Sequence, residues 1–263
     1  MDLKLTKKIA LVTGSTAGIG NAIAASLARE GATVIVNGRS PAAVEGAVAA
    51  MKTEAKGDVI GFAGDLSAAS VAEALVRQHP VVDILVNNLG IFEVKPFEEI
   101  SDADWQRFFD VNVLSGARLS RLYLPAMRKR NWGRIIFISS ESGYHIPTEM
   151  IHYGMTKAAQ IAVARGLAET TAGTGITVNS VLPGPTRSRG VGNFVAEMAA
   201  KSGKSAQTVE NEFFKTARPT SLLQRFATPE EVAAMVTYVA SPVSSATNGA
   251  ALRVDGGTIK SAF

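Results

Sequence analysis

The sequence predicts an α/β fold, a doubly wound, mostly seven-stranded parallel sheet with helices on both faces. Three observations predict it. Short β-rich runs alternate with longer Ala-rich helical segments along the whole chain, the pattern of repeated strand–helix–strand units. The strand runs are continuously apolar rather than alternating, as in Ile9–Val12 and Val82–Asn87, which is how strands covered on both faces read. The 263 residues contain no linker, repeat or low-complexity tract, so residues 1–263 are expected to form a single α/β domain, a class that reaches roughly 200–250 residues.

In chain order, Lys8–Thr13 reads as a buried strand and Ile19–Glu30 as a helix stopped by Gly31. Thr33–Asn37 is the second strand. Ala42–Ala55 is a helix with Pro41 at its first turn, where the missing N–H costs nothing. Asp58–Ala63 is the third strand, and Ser67–Gln78 a helix with Ser67 as its expected N-cap. Val82–Asn87 is the fourth strand. Asp102–Arg130 holds one long or broken helix, capped by Ser101 and expected to kink or end at Pro125. Arg134–Ser139 is the fifth strand, His152–Thr171 a helix, and Thr177–Val181 the sixth strand. Thr228 caps a helix over Pro229–Ala240, and Ala251–Val254 is the last strand. Between them, Arg187–Arg225 departs from the pattern. It is rich in charge, Ser, Thr and Met, with weak helical pieces at Asn193–Ala200 and Thr208–Lys215. An insertion after a strand of such a sheet lies where ligands bind, so it reads as a substrate-covering lid.

Composition narrows the chemistry. With no cysteine, the chain has no disulfide framework, thiolate metal site or cysteine nucleophile. Its three histidines, His79, His145 and His152, make a His-rich metal site unexpected. A net charge of +4 is too small and too scattered for a nucleic-acid footprint. The Arg128-Lys129-Arg130 cluster ends a helix, where cations suit the dipole. No signal-peptide pattern and no run near the roughly 20 apolar residues of a membrane helix occurs, so a cytoplasmic location without membrane partners is expected.

Thr13-Gly14-Ser15-Thr16-Ala17-Gly18-Ile19-Gly20 joins the first strand to the first helix. Glycines let the backbone turn sharply and approach a ligand, and the helix N-terminus offers N–H groups and a positive dipole end to a pyrophosphate. The spacing of Gly14, Gly18 and Gly20 differs from G-x-G-x-x-G. Near the end of the second strand an NAD site places a carboxylate, whereas an NADP site has an arginine. Val36-Asn37-Gly38-Arg39-Ser40 contains no carboxylate, and the fork of Arg39 suits a 2′-phosphate. NADP(H) is therefore favoured, with NAD(H) as the alternative. Tyr153 and Lys157 lie at i and i+4 on one helix face, and Ser140 ends the fifth strand, where ligands of an open parallel sheet bind.

With these residues in hand, the chain resembles the single-domain short-chain dehydrogenase/reductases, with their Rossmann fold, over nearly its whole length. The matching pieces are Thr13–Gly20, Asp65-Leu66, Asn87-Asn88-Leu89-Gly90, Asn112, Ser140, Tyr153…Lys157, Pro183-Gly184 and Val254-Asp255-Gly256-Gly257. The resemblance implies that Tyr153 is the general acid in carbonyl reduction and the base in alcohol oxidation. It implies that the Lys157 ammonium lowers the Tyr153 pKa and holds the nicotinamide ribose. Ser140 would bind the substrate oxygen. Asn112 would hold, through backbone and side chain, a water that passes protons from Lys157 to solvent. Gly14, Ser15, Thr16, Gly18, Ile19, Gly20, Asp65, Leu66, Asn88 and Gly90 would contact the adenosine and phosphates. Pro183, Gly184, Thr186 and Ser188 would hold the nicotinamide amide. Leu89 stands where the family commonly has Ala, Ala17 where many NADP-using members carry Lys or Arg, and Ser188 where Thr is usual.

The function expected is an NADP(H)-dependent oxidoreductase interconverting a ketone and a secondary alcohol; the alternative is a non-catalytic regulator or scaffold of the same fold. Another reaction on this fold would need further acid–base groups, for which Glu197, Glu210 and Glu212 in the lid are the candidates. The apolar lid residues Val191, Phe194, Val195, Met198, Phe213 and Phe214 favour an apolar or 3-oxoacyl carbonyl. His145 and His152, with Tyr144, Ile146 and Met150, are placed in the loop lining the substrate pocket as polar or exposed residues. Phe108 and Phe109 are expected to pack in the core or at a subunit contact, the resemblance implying a homotetramer (or homodimer).

Overall fold

The computed structural model describes residues 1–262, without the side chains of Arg189, Asn193, Phe194 and Glu197. The seven strands are β1 (Ile9–Val12), β2 (Thr33–Gly38), β3 (Val59–Ala63), β4 (Ile84–Asn87), β5 (Gly133–Ile138), β6 (Ile176–Pro183) and β7 (Ala251–Val254). They form one sheet in the order β3-β2-β1-β4-β5-β6-β7, parallel throughout. Strand direction and strand order together explain the apolar runs, because side chains alternate between two covered faces. Ala10 and Val12 enter one core with α1 (Gly18–Arg29), α2 (Pro41–Lys52) and α9 (Pro229–Ala240). Leu11 enters the other, with α3 (Ala69–Gln78), α5 (Ser115–Arg130) and α6 (Ile151–Glu169). Each such fully buried aliphatic chain contributes roughly 1.5–3 kcal/mol. Strand order reverses at β1, which has β2 on one side and β4 on the other; this opens a crevice at the carboxyl ends of β1 and β4.

Three local readings change. The break in the long helix falls not at Pro125, which lies inside an uninterrupted α5, but at a wide turn over Asp110–Leu114 between α4 (Asp102–Phe109) and α5. The Asn112 side chain explains it: its amide bonds both backbone groups of Ile91 and the Thr156 hydroxyl, and a π-type turn is a common way to aim such a residue. Ser67 does not cap α3; Ala68 holds that position, and Ser67 instead donates its N–H and hydroxyl to Asp65. The weak pieces of the Arg187–Arg225 excursion are two full helices, α7 (Arg189–Ser202) and α8 (Ala206–Thr216), capped by Ser188 and Ser205.

The two excursion carboxylates with described side chains are structural. Buried Glu210 pairs with Arg187 and accepts the Phe226 N–H, and Glu212 pairs with Lys204 at 2.6 Å. Phe194 and Glu197, named above as lining and acid–base candidates, have side chains outside those described. No described helix is long and apolar enough to cross a membrane, and no described group of three His, Asp or Glu is placed to hold a metal ion.

Candidate active site

The glycine turn is built from within. Gly14 and Gly18 sit at φ of +61° and +59°, the left-handed region that favours glycine. The Asn37 side chain accepts the Gly14 N–H at 3.1 Å, and Asn88 donates to the carbonyls of Thr13 and Gly14 at 2.9 and 3.0 Å. Ser15 is fully buried, its hydroxyl bonded to the Val12 carbonyl and the Asn37 N–H; it closes the turn and presents no side chain to a ligand. Gly20 lets α1 come close, since a Cβ there would lie 2.5 Å from the Gly14 carbonyl oxygen. Helix α1 follows Ala17 as its N-cap residue, with no side-chain cap and no acidic residue in its first turn, so its first N–H groups and dipole end are free for a phosphate. Gly20→Ala is expected to cost about 1–3 kcal/mol by overpacking and to weaken NADPH binding at least tenfold, read by urea unfolding and fluorescence titration.

Around the turn, Thr16 packs against Gly38 at the end of β2. The next residue, Arg39, is exposed and makes no hydrogen bond or ion pair with a described residue, although its charge helps hold Asp65 below the usual carboxylate range after the larger effect of the Ser67 hydrogen bond. Leu66 is buried and Gly90 is exposed at the crevice. Leu89 packs against the second core, which accounts for the larger residue there.

On the other side stand the reacting groups. Ser140, at the carboxyl end of β5, accepts the Ser142 N–H at 3.1 Å and hydrogen-bonds Tyr153. Ser139 beside it bonds the Lys157 carbonyl at 2.8 Å, tying α6 to β5. Lys157 Nζ donates to the Ile138 carbonyl at 2.9 Å and to Gln160 Oε1 at 3.1 Å, and lies 5.5 Å from the Tyr153 ring centre. Gln160 in turn donates to the Asn112 carbonyl at 2.6 Å. The Asn112 side chain clamps the Ile91 segment, and its carbonyl accepts from Gln160, a buried side chain. Gln160 carried no signal in the sequence, being 48 residues from its partner.

Burial dominates the electrostatics. It pushes Tyr153 up to about 12, against the opposing hydrogen bond from Ser140, and Lys157 down to about 7. Burial disfavours the charged forms of both Tyr153 and Lys157. A phenol held protonated at neutral pH is suited to donate a proton to a carbonyl oxygen.

The start of the excursion borders the crevice. Gly184 bonds the Val254 carbonyl at 3.0 Å, leaving no room for a Cβ against the Asp255 backbone. Thr186 bonds the Gly184 carbonyl at 2.9 Å. Ser188 reaches the glycine turn, and Gly190 lies against Phe92. The resulting cavity, about 270 Å³, is bounded by Ala17, Gly18, Ile19, Gly20, Tyr153 and Lys157 among others. Its open helix N-terminus at one end and Tyr153 and Lys157 at the other fit a nicotinamide dinucleotide.

Two histidine expectations separate. His145 is exposed and borders a second cavity. His152 is fully buried, 4.0 Å centre to centre from Phe108 and edge-on to Trp105, with neither nitrogen hydrogen-bonded to a described residue. It is a core residue, and burial lowers its pKa. Phe108 is buried with it and Phe109 is exposed.

Fold and site together define an oxidoreductase of the Rossmann type acting on CH–OH groups. The chain belongs to the short-chain dehydrogenase family, whose model it matches over residues 8–199. It is 48% identical over 264 residues to the uncharacterized oxidoreductase YvaG of Bacillus subtilis, covering 100% of both chains. It is 34% identical to D-beta-hydroxybutyrate dehydrogenase of Cupriavidus necator, over 97% of this chain and 99% of the relative. Among solved structures, L-sorbose reductase from Gluconobacter frateurii complexed with NADPH and L-sorbose superposes with a TM-score of 0.93 at 29% identity, over 99% of this chain and 100% of that one.

Proposed function

We propose that the chain is an NADP(H)-dependent oxidoreductase that interconverts a ketone and a secondary alcohol, with Tyr153 as general acid and base. The observation that carries the reading is the meeting of Ser140, Tyr153 and Lys157 at one end of a crevice whose other end is an uncapped helix N-terminus. Bound NADP(H) supplies or takes back the hydride. Gly18, Ile19 and Gly20 hold its pyrophosphate, Asp65 and Leu66 its adenine, Asn88 and Gly90 its adenosine ribose, and Thr16 and Arg39 its 2′-phosphate. Lys157 holds the nicotinamide ribose, and Pro183, Gly184, Thr186 and Ser188 the amide. Ser140 donates to the substrate oxygen, Tyr153 delivers the proton, and Asn112 with Gln160 fixes Lys157. Residues 187–225 act as the lid of a single-domain protein, which works in the cytoplasm as a homotetramer (or homodimer).

The relatives include ketoacyl reductases, and among the structural neighbours one was solved with NADPH and another with NADH. The apolar 3-oxoacyl substrate loses the support of the lid, because Val195, Phe214 and Phe226 are buried against one another with Phe213 beside them. NADPH oxidation with a panel of carbonyls tests the reaction. For the cofactor, Arg39→Ala is expected to weaken NADPH binding by about tenfold to a hundredfold, the loss of a charge-assisted hydrogen bond of about 1.5–3 kcal/mol, and to leave NADH binding within twofold. Equal effects on both cofactors would refute the assignment.

A further inference from the structure

The face that the excursion turns toward the catalytic loop is charged. Arg218, two residues beyond α8, is buried and donates Nε to Glu141 Oε1 at 2.9 Å. Glu141 directly follows Ser140 and is buried as well. Both charges act on Tyr153, in opposite directions. The ion pair therefore lies directly beside Ser140, at the end of β5. Against it opens a cavity of about 410 Å³ between residues 145–149 and 216–218, within the size range of small-molecule sites.

The polar groups of this cavity are only partly used. Arg218 spends Nε on Glu141 and Nη1 on the Ala217 carbonyl, and Nη2 makes no hydrogen bond to a described residue. Glu149 Oε1 is 3.7 Å from Arg218 Nη1, too far for a hydrogen bond, and its other oxygen has only a 3.4 Å contact with the Thr148 hydroxyl. The cavity thus offers a spare carboxylate and a spare guanidinium N–H, with the cation already neutralised by Glu141. A substrate carboxylate or phosphate would meet two carboxylates for one cation. A hydrocarbon chain would strip water from Glu149 and Arg218 and return no hydrogen bond. Hydroxyl groups, which both donate and accept, answer both groups.

We propose that this cavity is the distal subsite for a neutral, hydroxyl-rich ketone and its polyol, with Glu149 and Arg218 reading the hydroxyl groups. The proposal rests on the ketone–alcohol reaction given above and deepens it. Glu149 and Arg218 select the substrate and take no part in proton transfer.

The test is steady-state NADPH oxidation with D-fructose and L-sorbose, set against 2-hexanone, acetoacetate and acetoacetyl-CoA, with 2,3-butanedione as a small reactive carbonyl. At least one hexulose should exceed 2-hexanone and acetoacetate in kcat/KM by about tenfold or more, since a site built to bond hydroxyls discriminates against analogues lacking them. Glu149→Ala should lower the ratio of hexulose to 2-hexanone by about tenfold, through KM, with part of the ratio restored in Glu149→Gln. A merely structural Glu149 would lower both substrates alike and leave the ratio unchanged, which overturns the proposal. Preference for 2-hexanone, acetoacetate or acetoacetyl-CoA overturns it too. If 2,3-butanedione is reduced and neither hexulose exceeds 2-hexanone, the subsite assignment alone fails. If no carbonyl of the panel is reduced while NADPH binds, the ketone–alcohol reading fails and takes the subsite with it.

Discussion

Tyr153→Phe should lower kcat for carbonyl reduction by about a thousandfold, within the range of general acid–base catalysis, and leave NADPH affinity within a few-fold. The substitution removes one oxygen. The ring keeps its edge-on contact with Phe92, centres 6.4 Å apart, and its place on α6 is fixed independently by the Ser139–Lys157 and Asn112–Thr156 bonds. Folding is therefore spared, and the loss falls on proton delivery. Wild-type pH dependence supplies a second check. Burial holds the Tyr153 phenol at about 12, so reduction, which needs the protonated form, should not gain rate as pH rises from 6 to 9. Oxidation needs the phenolate, and its rate should climb with pH across that interval. A Phe variant with more than a tenth of wild-type activity would remove Tyr153 from the mechanism.

What could be read from the sequence was what local pattern or neighbouring positions encode. The strands were legible because burial on both faces makes them continuously apolar; the register of β1 against β2 and β4 was not, because a run apolar at every position does not say which residues pair. Tyr153 and Lys157 were legible because one helix turn brings them together. Ser140 was legible because the carboxyl ends of parallel strands face the crevice. Contacts that close over long separations left no such trace. Gln160 meets Asn112 across 48 residues and Arg218 meets Glu141 across 77. Nothing in either pair's local spacing distinguishes it from a solvated polar residue. His152 was misplaced because the chain around it, Ile151 and Tyr153, does not show what it packs against, whereas its neighbours in space are Phe108 and Trp105. Phe213 and Phe214 were misread for a related reason: apolar residues in an excursion can line a ligand or pack on each other, and only tertiary structure tells which.

Lys157→Met should abolish turnover to a similar degree and, in the protein without cofactor, flatten the dependence of stability on pH. The lysine is buried, with an amide and a carbonyl as its acceptors and no carboxylate bonded to it among the described residues. Burial lowers its pKa from the ordinary 10.5 to about 7. Between those values the unfolded chain binds more protons at this group than the folded one, so stability rises with pH. The lysine's penalty on folding is therefore full below pH about 7, shrinks through the interval and is gone above 10.5. Its size is on the order of a few kcal/mol, reduced by whatever the two hydrogen bonds return to the ammonium. Methionine fills similar volume and does not titrate. Urea midpoints of the two proteins measured between pH 6.5 and 10 cancel the titrations they share, and the wild type should gain on the variant as pH rises. Parallel curves would mean that Lys157 keeps an ordinary pKa in the folded protein. The Ile138 carbonyl and Gln160 would then compensate its burial fully, and the group would be a permanent ammonium, not one poised near neutrality. The lysine proposed to hold the ribose is in that case also free of stability cost. The slope, more than the net stability of the variant, decides between the two, because the methionine leaves both acceptors unpaired and that penalty is independent of pH.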